Sequence, residues 1–131
     1  MKNKKIFLIE DDKDQIELYK MALEMFLPEI EIVACLEPEK VIEQIKNQKP
    51  DLILLDLILK NYDGMDILED LRKDDELKDL KVIVLTNLYK ESLKDRALEL
   101  GALGYWLKTE ILPKELAQQI SKMLELGNEI Q

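Results

Sequence analysis

The fold of this chain is decided by the stretch Pro50-Asp51-Leu52-Ile53-Leu54-Leu55-Asp56. Its four consecutive aliphatic residues leave no polar face, so both sides of the segment must be covered by other parts of the protein. This pattern is typical of a central strand in a parallel sheet with helices on both faces. Asp56 lies where the strand ends, and ligands of open α/β sheets bind beyond the carboxyl ends of the strands. Taken alone, Asp56 has the alternative interpretation of a turn or helix-capping residue.

The composition limits the class of protein. A length of 131 residues predicts a single domain, residues 1–131, and the net charge of −9 argues against direct contact with nucleic acid or an anionic membrane, since both would repel it. The absence of histidine excludes Ser-His-Asp catalysis and a role as a phosphohistidine donor. A single cysteine, Cys35, excludes an intrachain disulfide. No signal peptide is recognisable and no apolar run is long enough to span a bilayer, so a cytoplasmic location is the default expectation.

Strand-like and helix-like segments alternate along the chain. Apolar runs predict five strands, at residues 6–9, 31–36, 52–55, 81–85 and 103–107. Each is followed by apolar residues at helical spacing, which in the last helix are Leu112, Leu116, Ile120 and Met123. Gly127 is predicted to end that helix. Five βα units imply right-handed crossovers, so the predicted fold class is α/β, a three-layer (βα)5 doubly wound parallel sheet.

Four of the predicted strands end in residues that carry charged or reactive groups, namely Glu10-Asp11, Asp56, Thr86 and Lys108. In a parallel sheet these ends share one edge, so three carboxylates, a hydroxyl and an amine are predicted to converge there. Each group has an alternative interpretation on its own. The acids would cap helices, Thr86 would be an N-cap, and Lys108 would extend its ammonium to solvent. The occurrence of all four at one edge favours a shared site.

A cluster of this kind requires positive charge. Two carboxylates about 4 Å apart repel by roughly 4 kcal/mol at an effective dielectric constant near 20, so three would destabilise the fold unless they are neutralised. Lys108 supplies one positive charge, and Mg²⁺, which prefers carboxylate, carbonyl and water oxygens, is the expected cofactor. Asp56 is then predicted to attack a phosphoryl group and to form an aspartyl phosphate. Lys108 would stabilise the transferring oxygens, and Thr86 would donate a hydrogen bond to one of them.

This set of residue types and spacings is similar to that of a known family. Over essentially its whole length the chain resembles the receiver domain of bacterial-type two-component response regulators. The resemblance is carried by the acidic pair Glu10-Asp11, the phosphoacceptor Asp56 within residues 56–64, Thr86, the aromatic Tyr105, and Lys108. It implies a flavodoxin-like fold in which the five strands have the order 2-1-3-4-5.

The resemblance also implies how the site binds its metal and obtains its phosphoryl group. Mg²⁺ would be held by Asp11, Asp56 and the main-chain carbonyl of Ile58, with Glu10 acting mostly through water. The phosphoryl group would come from a sensor histidine kinase or a histidine phosphotransfer protein. The chain would therefore not be an enzyme in the usual sense, because it would catalyse only its own phosphorylation and dephosphorylation.

Thr86 and Tyr105 form the switch that the resemblance implies. The phosphoryl group would draw Thr86 towards it, and Tyr105 would turn inward into the vacated space. This would remodel the face formed by the fourth helix, the fifth strand and the fifth helix, where a downstream protein would recognise the phosphorylated state. A phosphorylation-dependent dimer is a further expectation.

Three positions depart from the family's usual pattern. Lys60 and Thr109 occupy positions where the family commonly has proline, and Asn87 occupies one where it commonly has alanine. A cis bond without proline costs about 2.5–4 kcal/mol, which favours a trans Lys108–Thr109 bond. The departures leave open a degenerate receiver that acts as a phosphorylation-independent interaction module. A phosphatase-like enzyme is disfavoured, since Ile58 stands where such enzymes have an acid.

Overall fold

The computed structural model describes residues 4–35 and 37–124. Two sequence predictions lie outside these residues, namely the end of the last helix at Gly127 and the inclusion of Leu36 in the second strand. Within the described residues, no helix is both long enough and apolar enough to cross a membrane.

A five-stranded parallel sheet forms the centre of the molecule. Its strands are β1 (Lys5–Ile9), β2 (Glu31–Cys35), β3 (Leu52–Leu55), β6 (Lys81–Thr86) and β7 (Gly104–Leu107). They are arranged in the order β2-β1-β3-β6-β7, and every neighbouring pair is parallel. Counted among these five strands alone the order is 2-1-3-4-5, so the predicted fold class and strand order are confirmed.

Helices cover both faces of the sheet and divide the core into two. The helices are α1 (Lys13–Phe26), α2 (Val41–Gln48), α3 (Gly64–Lys73), α4 (Glu91–Glu99) and α5 (Pro113–Met123), with a short 3-10 turn at Pro38–Lys40. One apolar cluster joins α1 and α5 to the sheet, and the other joins α2, α3 and α4 to its opposite face. The four aliphatic residues of β3 are completely buried between the two clusters, as their lack of a polar face predicts.

Local signals explain the start of α1, the end of α4 and the start of α5. Asp12 is the N-cap of α1, because its side chain accepts hydrogen bonds from the amides of Asp14 and Gln15. Gly101 follows α4 with φ of 84°, a left-handed conformation that glycine adopts without steric cost. The prediction for Leu112 is wrong. This residue lies before the first turn of α5 and is 66% exposed, because the helix begins at Pro113, a favoured first position.

A small hairpin follows the central strand, in addition to the five predicted strands. It consists of β4 (Ile58–Leu59) and β5 (Tyr62–Asp63), which pair antiparallel. Lys60 and Asn61 form its two-residue loop, and Asn61 has φ of 63°. Asparagine tolerates this left-handed conformation better than most residues, which explains why the turn occurs at this position. The hairpin carries the chain from Asp56 to the start of α3.

Candidate functional site

Asp56 is buried at the carboxyl end of β3, with only 6% of its surface exposed. Its amide donates to the carbonyl of Ile9, which ties it to the end of the neighbouring strand. One carboxylate oxygen, Oδ1, accepts a hydrogen bond from the Ile58 amide at 3.0 Å. The other, Oδ2, accepts one from the Lys108 ammonium at 2.9 Å. Both oxygens therefore have a fixed orientation at the edge of the sheet.

Lys108 connects residues at the ends of three other strands. Its amide donates to the carbonyl of Thr86, and this bond fixes the start of the side chain at the end of β7. Its ammonium lies 2.5 Å from Oε2 of Glu10 and 2.9 Å from Oδ2 of Asp56. The three side chains are at most 10% exposed, so this is a buried ion cluster. The convergence of Glu10, Asp56 and Lys108 predicted from the strand ends is therefore observed.

Tyr19 is a neighbour of the site that the sequence did not reveal. Its ring centroid lies 6.0 Å from the Lys108 ammonium, at the limit of a cation–π contact. In the sequence Tyr19 belongs to the apolar stripe of α1, and it is indeed buried. No local signal distinguishes an aromatic core residue from one that also faces a buried cation.

The two carboxyl groups of the ion cluster have pKa values shifted in opposite directions. Burial raises the pKa of Glu10 to about 7 and outweighs the opposing effect of the Lys108 ammonium. Burial also disfavours the Asp56 anion, but hydrogen bonds from Lys108, Glu10 and the Ile58 amide together hold the pKa of Asp56 below its usual value. Asp56 is therefore anionic near neutral pH, as a nucleophile must be.

Thr86 and Tyr105 are connected through the backbone of Leu88, one bonding its amide and the other its carbonyl. Thr86 is fully buried at the end of β6, and its Oγ1 accepts a hydrogen bond from the Leu88 amide at 3.2 Å. The Tyr105 hydroxyl donates to the Leu88 carbonyl, and the Tyr105 ring is buried. Because α4 begins only at Glu91, Thr86 is not its N-cap. Asn87, one of the departures from the family pattern, is exposed to solvent.

Asp11 has a different hydrogen-bond partner from the other two acids. Its Oδ2 accepts a hydrogen bond from the Lys60 amide at 2.5 Å, across 49 residues of sequence. Among residues 4–35 and 37–124, no three acidic or cysteine side chains are grouped closely enough to hold a metal ion. The donor types nevertheless fit a hard cation, because the carboxylates of Asp11 and Asp56 and the carbonyl of Ile58 are the oxygen ligands that Mg²⁺ prefers.

Gly64 allows α3 to start directly against the acceptor. A Cβ atom at this position would lie 2.3 Å from the main-chain oxygen of Asp56 and 2.6 Å from the Cα of Leu57. Only glycine avoids these contacts with backbone atoms. The residue before it, Asp63, caps α3, since the Asp63 side chain accepts a hydrogen bond from the Met65 amide. The Lys108–Thr109 bond is trans, because the described residues contain no cis peptide bond.

Comparison with known proteins identifies the family. Residues 6–121 match the model of the response regulator receiver domain, which is most of the chain. The chain belongs to the response regulator receiver domain family. The motifs that carried the resemblance in the sequence lie within the matched residues, so the recognition made from sequence is confirmed.

Relatives of this receiver domain are longer regulators. The phosphate regulon transcriptional regulatory protein PhoB of Pseudomonas aeruginosa is 34% identical over 127 residues, which are 95% of this chain and 53% of PhoB. The alkaline phosphatase synthesis transcriptional regulatory protein PhoP of Bacillus subtilis is 29% identical over 93% of this chain and 49% of PhoP. The chain thus spans about half the length of these relatives.

Solved structures of receiver domains have the same fold. The signal receiver domain of a DNA-binding response regulator from Colwellia psychrerythraea has a TM-score of 0.86 at 25% identity and covers 94% of this chain and 99% of its own. The phosphorylated cyanobacterial phytochrome response regulator RcpA has a TM-score of 0.80 at 28% identity, with 98% of each chain covered. The Mn²⁺-bound form of response regulator Rcp1 has a TM-score of 0.80 at 27% identity, covering 97% of this chain and 99% of its own.

Proposed function

We propose that Asp56 of this receiver domain accepts a phosphoryl group from a sensor histidine kinase or a histidine phosphotransfer protein, in a reaction that depends on Mg²⁺, and that residues 1–131 act as one receiver domain. The observation that carries the proposal is the buried Asp56 carboxylate, anionic near pH 7 and bonded to Lys108 at 2.9 Å. The phosphorylated relative RcpA supports it by family likeness. Receiver domains are not classical enzymes, and the reaction modifies only the chain's own Asp56.

The residues of the site divide the reaction among them. An oxygen of Asp56 attacks phosphorus and forms an O–P bond, while the N–P bond of the donor phosphohistidine breaks and its electron pair stays on the ring nitrogen. Lys108 offsets the charge on the transferring oxygens, and Thr86, at the end of the adjacent strand, donates its hydroxyl to one of them. Bound Mg²⁺ would supply further positive charge through Asp11, Asp56 and the carbonyl of Ile58, with Glu10 acting mostly through water.

The output surface of the proposed switch is the face of α4, β7 and α5. A groove of about 510 Å³ lies on this face and is lined by Tyr89, Lys94, Tyr105, Trp106, Leu107 and Glu110. Two hydrogen bonds link the end of β6 to this groove. The Leu88 amide donates to Thr86, and the Tyr105 hydroxyl, in the groove, donates to the Leu88 carbonyl. A movement of Thr86 towards a phosphoryl group breaks or strains those bonds and so alters the groove, which a downstream protein would recognise. A phosphorylation-dependent dimer is part of this proposal.

One observation favours a second function, a phosphorylation-independent interaction module. Tyr105 is buried and its hydroxyl donates to the Leu88 carbonyl, so this ring already has the inward position that the switch would have to produce. Partner binding that is unchanged by Asp56→Asn would identify the module, whereas partner binding that requires an intact Asp56 would identify the switch.

The decisive experiment is incubation with Mg²⁺ and acetyl phosphate, followed by intact mass measurement. Wild type should gain the mass of one phosphoryl group, and Asp56→Asn should gain none. Asp70→Asn, which changes an exposed aspartate on α3, is the matched control and should be phosphorylated like wild type. Absence of phosphorylation in the wild type, or equal phosphorylation of Asp56→Asn, would disprove the acceptor assignment. Chelation of the metal should abolish the reaction.

A further inference from the structure

We propose that the backbone amide of Lys60 competes with a divalent cation for the carboxylate of Asp11, so that this chain must break the Lys60–Asp11 hydrogen bond to bind its metal. The inference rests on the proposed function, which places Mg²⁺ at Asp11 and Asp56. It adds a feature of this chain to that function, since the competing group is a main-chain donor in the β4–β5 hairpin.

The three acids of the site have different partners. Glu10 and Asp56 both bind the ammonium of Lys108, at 2.5 and 2.9 Å. Asp11 instead accepts from the Lys60 amide at 2.5 Å. Asp11 is thus the proposed metal ligand that the hairpin holds, and the Lys60 amide is the group that holds it.

The hairpin presents this amide in a fixed position. The β4–β5 pairs leave Lys60 and Asn61 as the two loop residues, so the Lys60 amide is not used in the pairing of the strands. One end of the hairpin is fixed by the bond from the Ile58 amide to Asp56, and the other by Asp63, which caps α3. The Lys60 amide therefore belongs to a loop that is anchored at both ends, and it does not follow the Asp11 carboxylate when that carboxylate turns.

The amide and a cation compete for the same carboxylate. The Lys60 amide occupies a lone pair of Asp11 Oδ2 and holds the carboxylate in one orientation, so a cation that binds this oxygen or needs the carboxylate turned displaces the amide. A hydrogen bond to a charged acceptor contributes enough that its removal should strengthen metal binding about tenfold. The bond thus lowers the occupancy of the metal site at any given Mg²⁺ concentration.

Lys60→Pro tests this, because proline removes the amide donor. Lys60 is the second residue of the four-residue turn 59–62, and Asn61 at the third has φ of 63°, as in a type II turn, where proline is common at the second position. The preceding residue, Leu59, is in a strand, which suits a residue before proline. Lys60→Ala is the matched control, since it removes the same side chain and retains the amide.

The measurement is the dissociation constant for Mg²⁺ by titration calorimetry in the absence of any phosphoryl donor. Lys60→Pro should bind Mg²⁺ about tenfold more tightly than Lys60→Ala and wild type. Introducing Asp11→Asn into both variants should remove the difference. Equal affinities for Lys60→Pro and Lys60→Ala would overturn the inference and leave the proposed function intact. Failure of every variant, including wild type, to bind Mg²⁺ would overturn the metal dependence of the proposed function as well.

A second measurement does not depend on the folding of the proline variant. In wild type, hydrogen exchange at the Lys60 amide should be slow without metal and should accelerate when Mg²⁺ is added, because the acceptor is withdrawn. The Ile58 amide, bonded to Asp56 in the same hairpin, provides the internal comparison. A Lys60 amide that remains equally protected at saturating Mg²⁺ would show that Asp11 binds both partners at once, and the inference would be wrong.

Discussion

Lys108 and Arg72 lie at opposite ends of the central sheet, and each forms hydrogen bonds with a different kind of oxygen. At the carboxyl end Lys108 binds two carboxylates, those of Glu10 and Asp56. At the amino end, just before β6 and β7 begin, the guanidinium of Arg72 binds four main-chain carbonyls, those of Lys78, Leu80, Leu100 and Gly101.

The partners determine what each cation can do. Carbonyl oxygens do not titrate and are fixed by the backbone, so Arg72 ties the end of α3 to the segments that precede β6 and β7. Carboxylates change protonation and can exchange one cation for another. Burial lowers the pKa of Arg72, whereas at Lys108 the two carboxylates outweigh burial and raise the pKa. The comparison indicates a structural role for Arg72 and a chemical role for Lys108, and four experiments test it.

The largest effect is expected at Lys108. Lys108→Ala should lower the rate of phosphorylation by acetyl phosphate by about a hundredfold to a thousandfold, because it removes a positioned charge from the transferring oxygens. The rate is measured by intact mass against time. Lys114→Ala, in which an exposed lysine of α5 is removed, is the control and should react like wild type. A Lys108→Ala rate equal to that of the control would contradict a chemical role.

Arg72→Ala should have the opposite profile. We expect a loss of about 3 kcal/mol in the free energy of unfolding, because several carbonyls lose a charged donor, with little change in the phosphorylation rate. Urea unfolding measures the first and intact mass the second. Arg72→Lys separates charge from geometry, since an ammonium cannot reproduce the planar fork. Full stability of Arg72→Lys would show that the positive charge alone is sufficient.

The protonation of Glu10 predicts a pH dependence that the Arg72 end lacks. Because burial raises the pKa of Glu10 from 4.5 to about 7, its protonation favours the folded state. This stability is fully present below pH 4.5 and is lost as the pH rises through 7. Relative to Glu10→Gln, wild type should lose roughly 2–3 kcal/mol of unfolding free energy between pH 5 and pH 8. Parallel pH profiles of the two proteins in urea unfolding would refute the assignment.

The smallest effect is expected at Arg96, an arginine that has carboxylate partners but lies at the surface. Its guanidinium is 3.1 Å from Glu69 and 3.8 Å from Glu99, and its side chain is 48% exposed. Arg96→Ala should cost less than about 0.5 kcal/mol, since solvent screens exposed ion pairs. A loss as large as that of Arg72→Ala in the same urea experiment would mean that burial does not distinguish the two arginines.

Much of the fold and the site could be predicted from local patterns. The apolar run of β3 and its three counterparts in β1, β6 and β7 identify the parallel sheet, because a strand covered on both faces has no polar alternation. Asp56 and Lys108 directly follow strands and Thr86 is the last residue of one, so all three lie at the common edge of the parallel sheet. Leu112 was assigned wrongly to the last helix, because the helical spacing of apolar residues includes Leu112 although the helix begins one residue later, at Pro113.

Other features had no local signal. The β4–β5 hairpin is only two residues long on each strand, too short for alternation to be recognised. The contacts of Tyr19 with Lys108 and of Lys60 with Asp11 join residues whose sequence neighbours indicate only a core position and a turn. The four carbonyl partners of Arg72 are invisible in a sequence, because every residue has a carbonyl and only the path of the backbone decides which ones converge.

The sequence by itself determined the five strands of the parallel sheet, the helices that follow them, and which reactive side chains stand at the strand ends. These properties follow from hydrophobic periodicity and from the identity of the residue after each strand. Only the tertiary structure decided which partner each side chain binds. Lys108 meets Glu10 across 98 residues, and Asp11 meets Lys60 instead of Asp56. Such pairings depend on how whole elements pack against each other, and no local pattern in the sequence encodes that packing.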